Sequence, residues 1–281
     1  MYKLIAIDLD GTLLDDRKRV PEENILVIRE LIDRGYEIVI ATGRRYWEAK
    51  ELIKEINRNM VILANNGNIV REFENDRLLI KKYLNMEDFR KLIRESKKRG
   101  LHPLILVDDY ENGIDIIVES GNATDFHKIY ISRAKDRYKE VEDYLTMEDA
   151  NILSVAFAGK KEDMKGLYEY INERYPNIYK AHLMENMNLV EALLEIMNPL
   201  GDKWLSLLEY AKEKGIDKTE IIAIGDDNND IEMIKNSGCG IAMKNGSKYV
   251  KEVADIISEK DNNQSGVAHE LRKLLKIHIN Q

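Results

Sequence analysis

The sequence predicts an α/β fold, a parallel sheet flanked by helices and interrupted by an inserted α+β module. Three observations predict it. Short apolar runs alternate with helical stretches at both ends of the chain. The middle mixes hairpin signals with helices instead. With 281 residues the chain can form one large domain or two modest ones, with a substantial core.

Residues 2–9 read as a buried strand that ends in Asp8 and Asp10, with Leu9 between them. Strand side chains alternate, so the two acids share one side and repel unless something sits between them. Residues 21–34 read as a helix with Ile25, Ile28, Leu31 and Ile32 on one face, Pro21 in its first turn and Gly35 at its end. Residues 36–41 are a second strand, followed by Thr42-Gly43-Arg44 and a helix to about residue 57. A third strand at 61–63 closes in the turn-prone Asn65-Asn66-Gly67-Asn68. Such alternation implies right-handed crossovers, with ligands gathering at the carboxyl ends of the strands.

From about residue 86 the rhythm changes to helix, strand 102–108, a turn from Asp109 to Gly113, and strand 114–119. Asn112-Gly113 between apolar runs is a strong hairpin signal, which makes Asp108-Asp109 part of an ordinary loop. A further helix, a strand at 152–158, another helix, and strands at 178–184 and 189–196 follow. The parallel pattern returns with helix 203–214, strand 221–224, the loop Gly225-Asp226-Asp227-Asn228-Asn229-Asp230, a strand at 240–243 and a C-terminal helix. The simplest organisation is a discontinuous core of 1–84 and 196–281 around an insertion of 85–195, with linkers near 82–85 and 197–201.

Acids outnumber bases 51 to 43, a net charge of -8 with both signs interspersed. That argues against nucleic acid or an anionic membrane as the main partner. The single Cys239 excludes an intrachain disulfide framework, and the five His are scattered. The first strand begins without a leader and no apolar run approaches membrane-spanning length, so the expected location is the cytoplasm.

Four stretches place polar groups just past strands or at a helix start: Asp8/Asp10-Gly11-Thr12, Thr42-Gly43-Arg44, Lys203, and Gly225-Asp226 with Asn229-Asp230. Taken singly, Thr42 reads as a helix N-cap and Lys203 as a solvated lysine. The acid pairs resist such readings, because carboxylates from two strand ends, if adjacent, give a hard oxygen site suited to Mg2+. The second pair is no calcium loop, since Ile231 and Ser237 stand where that loop needs Gly and Glu. P-loop and GxSxG signatures are absent as well.

Taken together, Asp8-Leu-Asp-Gly-Thr-Leu-Leu14, Ala41-Thr-Gly-Arg44, Lys203 and Gly225-Asp-Asp-Asn-Asn-Asp230 resemble the four ordered motifs of the haloacid dehalogenase-like (HAD) hydrolases. Asn66-Gly67, Glu195-Ile196, Ile231-Glu-Met233, Ile241-Ala-Met243 and Gly266-Val-Ala268 are similar to its Cof-type branch, whose cap lies between the second and third motifs. The resemblance covers essentially the whole chain. It implies a Rossmann-like core with a specificity cap, and a Mg2+-dependent phosphatase for a small phosphorylated metabolite, sugar phosphates first. Asp8 would be the nucleophile and Asp10 the general acid and base. Mg2+ would sit on the Asp8 carboxylate, the Asp10 carbonyl and Asp226, with Asp230 in support. Thr42, Gly43, Lys203 and Asn229 would bind the phosphoryl group. Substrate contacts are expected at Arg44 and Asn66, and at Glu185, Asn186 and Asn188 in the last cap hairpin. Two departures from the branch pattern, Asp227 and Asn68, spare every matched group. A monomer or weak homodimer is expected. A phosphomannomutase-like phosphotransferase and a non-catalytic phospho-ligand sensor are the alternatives.

Overall fold

The computed structural model describes residues 1–122, 124–132, 134–185 and 190–277. The chain divides into two compact units, Met1–Lys81 with Asp202–Gln281, and Lys82–Gly201.

The discontinuous unit begins with β1 (Leu4–Asp8), α1 (Glu22–Asp33), β2 (Glu37–Ala41), α2 (Tyr46–Ile53), β3 (Val61–Ala64), β4 (Ile69–Glu72) and β5 (Leu78–Lys81). The inserted unit contributes α3 (Met86–Lys98), β6 (Leu104–Asp109), β7 (Ile114–Glu119), α4 (Asp125–Ser132), β8 (Tyr138–Val141), β9 (Ile152–Gly159), α5 (Lys161–Arg174), β10 (Lys180–Glu185) and β11 (Ala192–Met197). The first unit resumes with α6 (Lys203–Glu213), β12 (Ile221–Gly225), α7 (Ile231–Asn236), β13 (Cys239–Ala242), α8 (Lys248–Val253), β14 (Ile256–Ile257) and α9 (Gly266–Leu275).

The discontinuous unit is built on one sheet in the order β14-β13-β12-β1-β2-β3-β4-β5. From β14 to β3 the neighbours pair in parallel, and β1 runs between β12 and β2. All five residues of β1 are buried, as expected of a central parallel strand covered on both faces. The sheet is not parallel throughout, because β3, β4 and β5 pair antiparallel at one edge. Leu4, Ala6, Val39, Leu63 and Ala223 on one face pack with Trp204, Leu207 and Tyr210 of α6 and Met233 and Ile234 of α7.

The inserted unit has its own sheet, β10-β11-β9-β6-β7-β8, antiparallel except for the parallel pair β7 and β8. Its separate core joins Ile105, Val155, Phe157 and Leu194 to Phe89, Leu92 and Ile93 of α3 and Met164, Leu167 and Ile171 of α5. The linker residues belong to this unit: Asn198 Nδ2 donates to the Tyr83 carbonyl at 2.7 Å, and Leu84 N to the Ile152 carbonyl at 2.8 Å. The fold is thus an α/β core with an inserted sheet-and-helix region.

Candidate active site

Parallel strands end on one edge of their sheet, and here β1, β2 and β12 end side by side. Asp8 pairs with Ala41, the last residue of β2, and Ile7 with Ile224 near the end of β12. The polar residues that follow each strand are therefore brought to one place. Two glycines let them approach. Gly11 has φ +77, and a Cβ on it would collide with the Asp226 carboxylate. Any Cβ on Gly225 would collide with the Asp230 side chain.

Asp8 is 5% exposed and Lys203 only 2%. Lys203 Nζ donates to Asp8 Oδ1 at 2.6 Å and to Asp230 Oδ1 at 2.7 Å. Lys203 opens α6, whose N-cap Asp202 accepts from the Trp204 and Leu205 amides at 2.8 and 3.2 Å. The solvated-lysine reading therefore fails. Thr42 is no N-cap either, because α2 starts at Tyr46 with Arg45 before it. Thr42 Oγ1 instead accepts from the Arg44 amide at 3.1 Å.

Asp8, Asp226 and Asp230 each offer a carboxylate oxygen within 4.8 Å of the others. Burial, and then the Asp230 charge, push the Asp8 carboxyl well above the ordinary range despite Lys203. Asp226 is pushed up to about 6, first by burial and further by Asp230 and Asp227, although Thr12 Oγ1 donates to it at 2.9 Å. Three carboxylates against one ammonium leave two negative charges in a largely dry place, and the donors are hard oxygens. That set fits a divalent cation such as Mg2+. Asp230 is occupied on both oxygens, Oδ1 by Lys203 and Oδ2 by the amides of Asp226 and Asp227 at 3.0 and 3.2 Å. It holds both the loop and the lysine in place.

The Asp10 side chain points elsewhere. Arg44 grips it from Nε at 2.5 Å and Nη2 at 2.7 Å, and Lys18 Nζ donates to it at 2.6 Å. Burial works to raise the Asp10 carboxyl, but these hydrogen bonds outweigh it and hold the group below the ordinary carboxylate range. Arg44, expected to meet substrate, is thus placed on Asp10. Asn229 Nδ2 donates to Asn66 Oδ1 at 3.1 Å, and Gly43 lies against the same Asn66. Asn66 itself takes the left-handed φ of +54, which Asn tolerates well.

Glu185 ends β10 in the inserted unit and pairs with Lys161 at 2.7 Å, while Asn186 and Asn188 lie outside the described residues. Asp227 is exposed and caps the turn leading to Asp230, and Asn68 is fully buried. Sequence reasoning missed three supports: Thr12 on Asp226, Lys18 on Asp10, and Asn245, whose Nδ2 donates to the Gly11 carbonyl at 2.7 Å. Thr12 stood in the first motif and only its role was unread. Nothing local in the sequence marks Lys18 or Asn245.

A sequence model of the haloacid dehalogenase-like hydrolases matches residues 5–271, nearly the whole chain. The chain belongs to this family. Two Bacillus subtilis relatives are 5-amino-6-(5-phospho-D-ribitylamino)uracil phosphatases. YitU is 27% identical, covering 98% of each chain, and YcsE is 28% identical, covering 96% of this chain and 94% of its own. Among solved structures, TM0651 from Thermotoga maritima superposes with a TM-score of 0.81 at 26% identity, covering 100% of this chain and 99% of its own. A haloacid dehalogenase-like hydrolase from Bacteroides thetaiotaomicron also reaches 0.81 at 26% identity, covering 98% and 100%. This family member is an enzyme, a HAD-type phosphatase acting on small phosphorylated substrates. Among the described residues, no helix is long and apolar enough to cross a membrane.

Proposed function

We propose that this hydrolase removes phosphate from small sugar-phosphate-like monoesters in two steps, through a phosphate carried on Asp8. One observation carries the reading: Asp8, Asp226, Asp230 and Lys203, far apart in sequence, converge at the carboxyl ends of the parallel strands of one sheet. The Asp8 carboxylate, the Asp10 carbonyl and Asp226 would hold Mg2+, with Asp230 behind them. Bound there, Mg2+ would neutralise negative charge and let an anionic nucleophile meet an anionic phosphate.

An Asp8 oxygen attacks phosphorus, forming the acyl phosphate as the bond to the leaving oxygen breaks. Once turned away from Arg44 and Lys18, which hold it ionised, Asp10 takes a proton from solvent and donates it to that oxygen, then accepts one from the water that attacks phosphorus and frees Asp8. Lys203, Thr42, the Gly43 amide and Asn229 hold the phosphoryl oxygens, since positioning and charge neutralisation do most of the work in phosphoryl transfer. The inserted unit would supply specificity for the leaving group. Support for a polyol phosphate comes from the phosphoribityl chain in the names of two relatives. The reading includes a cytoplasmic monomer or weak homodimer, with no nucleic-acid or membrane partner.

The test is Asp8→Asn. With an aryl phosphate and Mg2+, the purified variant should lose activity by at least about 100-fold. Hydrolysis at the wild-type rate would end the proposal. A panel of phosphate monoesters then ranks substrates, with sugar and polyol monophosphates, sugar acids among them, expected first.

A further inference from the structure

We propose that Lys18, acting with Arg44, is a specificity-determining residue that seats a carboxylate on the substrate's leaving group. The proposal deepens the phosphatase reading and rests on it, because it takes Asp10 as the group that meets the leaving oxygen. Arg44 holds both Asp10 oxygens in its planar fork, at 2.5 and 2.7 Å, and Lys18 caps one of them at 2.6 Å. This is the geometry of carboxylate recognition. To meet a leaving oxygen, Asp10 must turn out of the fork. Two cations shaped around a carboxylate then remain, and a substrate carboxylate near the ester oxygen can take the place of Asp10. Among sugar-phosphate-like monoesters the phosphorylated sugar acids have that arrangement, and phosphorylated 2-hydroxy acids are its smallest form.

The backbone is built to put Lys18 there. Lys18 has φ +61, a left-handed conformation uncommon for a residue other than glycine. Its turn is closed by Lys18 N donating to the Asp15 carbonyl, and Asp15 N to the Arg19 carbonyl, each at 2.9 Å. The far end of the chain ties the turn down. Asn262 Nδ2 donates to the Leu14 carbonyl, and Asn263 Oδ1 accepts from Asp16 N, each at 3.0 Å. Held at both ends, the turn fixes where the Lys18 side chain starts, within reach of Asp10.

Phosphoglycolate and 2-hydroxyethyl phosphate differ only in carrying a carboxylate or an alcohol beside the ester carbon. Their kcat/KM values, measured with Mg2+ on wild type, Lys18→Met and Lys18→Arg, test the proposal. Wild type should prefer phosphoglycolate. In Lys18→Met the preference should fall about tenfold, mainly through the KM of phosphoglycolate, and Lys18→Arg should keep most of it. Asp8-dependent hydrolysis of both probes without preference, or a preference unchanged in Lys18→Met, overturns the role of Lys18 alone. Failure of wild type to hydrolyse either probe, or any aryl phosphate, overturns the phosphatase reading together with it.

Discussion

Lys203 carries the charge balance of the site. It is buried between two carboxylates, which hold its ammonium far above the ordinary range against the pull of burial. Lys203→Met strands Asp8 and Asp230 without their cation. It should cost about 3–5 kcal/mol in metal-free buffer at neutral pH, and less with Mg2+ present. Denaturant melts with and without Mg2+ check this, and a variant as stable as wild type without metal would refute the charge argument. Asp226 gives the pH counterpart. Its carboxyl stands at about 6 in the fold against an ordinary 3.8. Within that window the native state holds more protons than the unfolded chain, so its contribution to stability falls as pH rises. In metal-free buffer Asp226→Asn should therefore gain on wild type from about pH 4 to pH 6.5, by an amount on the order of 1–2 kcal/mol. Saturating Mg2+ should reverse the order, because only wild type keeps the ligand, and calorimetry across that range reads both effects.

At the scale of elements, α6 matters because its first residue is Lys203, which reaches Asp8 and Asp230. Asp202→Ala removes the N-cap and should cost about 1 kcal/mol of stability. It should also lower kcat more than it raises KM, because the helix start positions Lys203. A variant with wild-type kcat would show that the cap serves the helix alone. The strands that build the site were legible from apolar runs: β1, β2, β3 and β12 are buried nearly throughout. The elements not read from the sequence lack that signal. β4 and β5 have four residues each, and the turn chemistry of Asn65 to Asn68 masks the start of their hairpin. β8 exposes Lys139 and Glu140 and gains its place by pairing with β7, which no local pattern announces.

Over the whole molecule, the order of the motifs and the change of rhythm in the middle made the architecture legible, because a parallel sheet and an antiparallel one demand different patterns. The convergence of Asp8, Asp226, Asp230 and Lys203 followed from strand ends sharing one sheet edge. What the sequence hid is what topology alone creates. Lys18 reaches Asp10 from a turn near the N-terminus that is fastened to residues 262 and 263, and Asn245 reaches Gly11 from the other end of the chain. The central claim is that phosphate passes through Asp8. Hydrolysis of a phosphorothioate ester made chiral at phosphorus with two oxygen isotopes, run in water of the third, tests it most directly. Two successive displacements predict retention of configuration, and inversion would contradict the account.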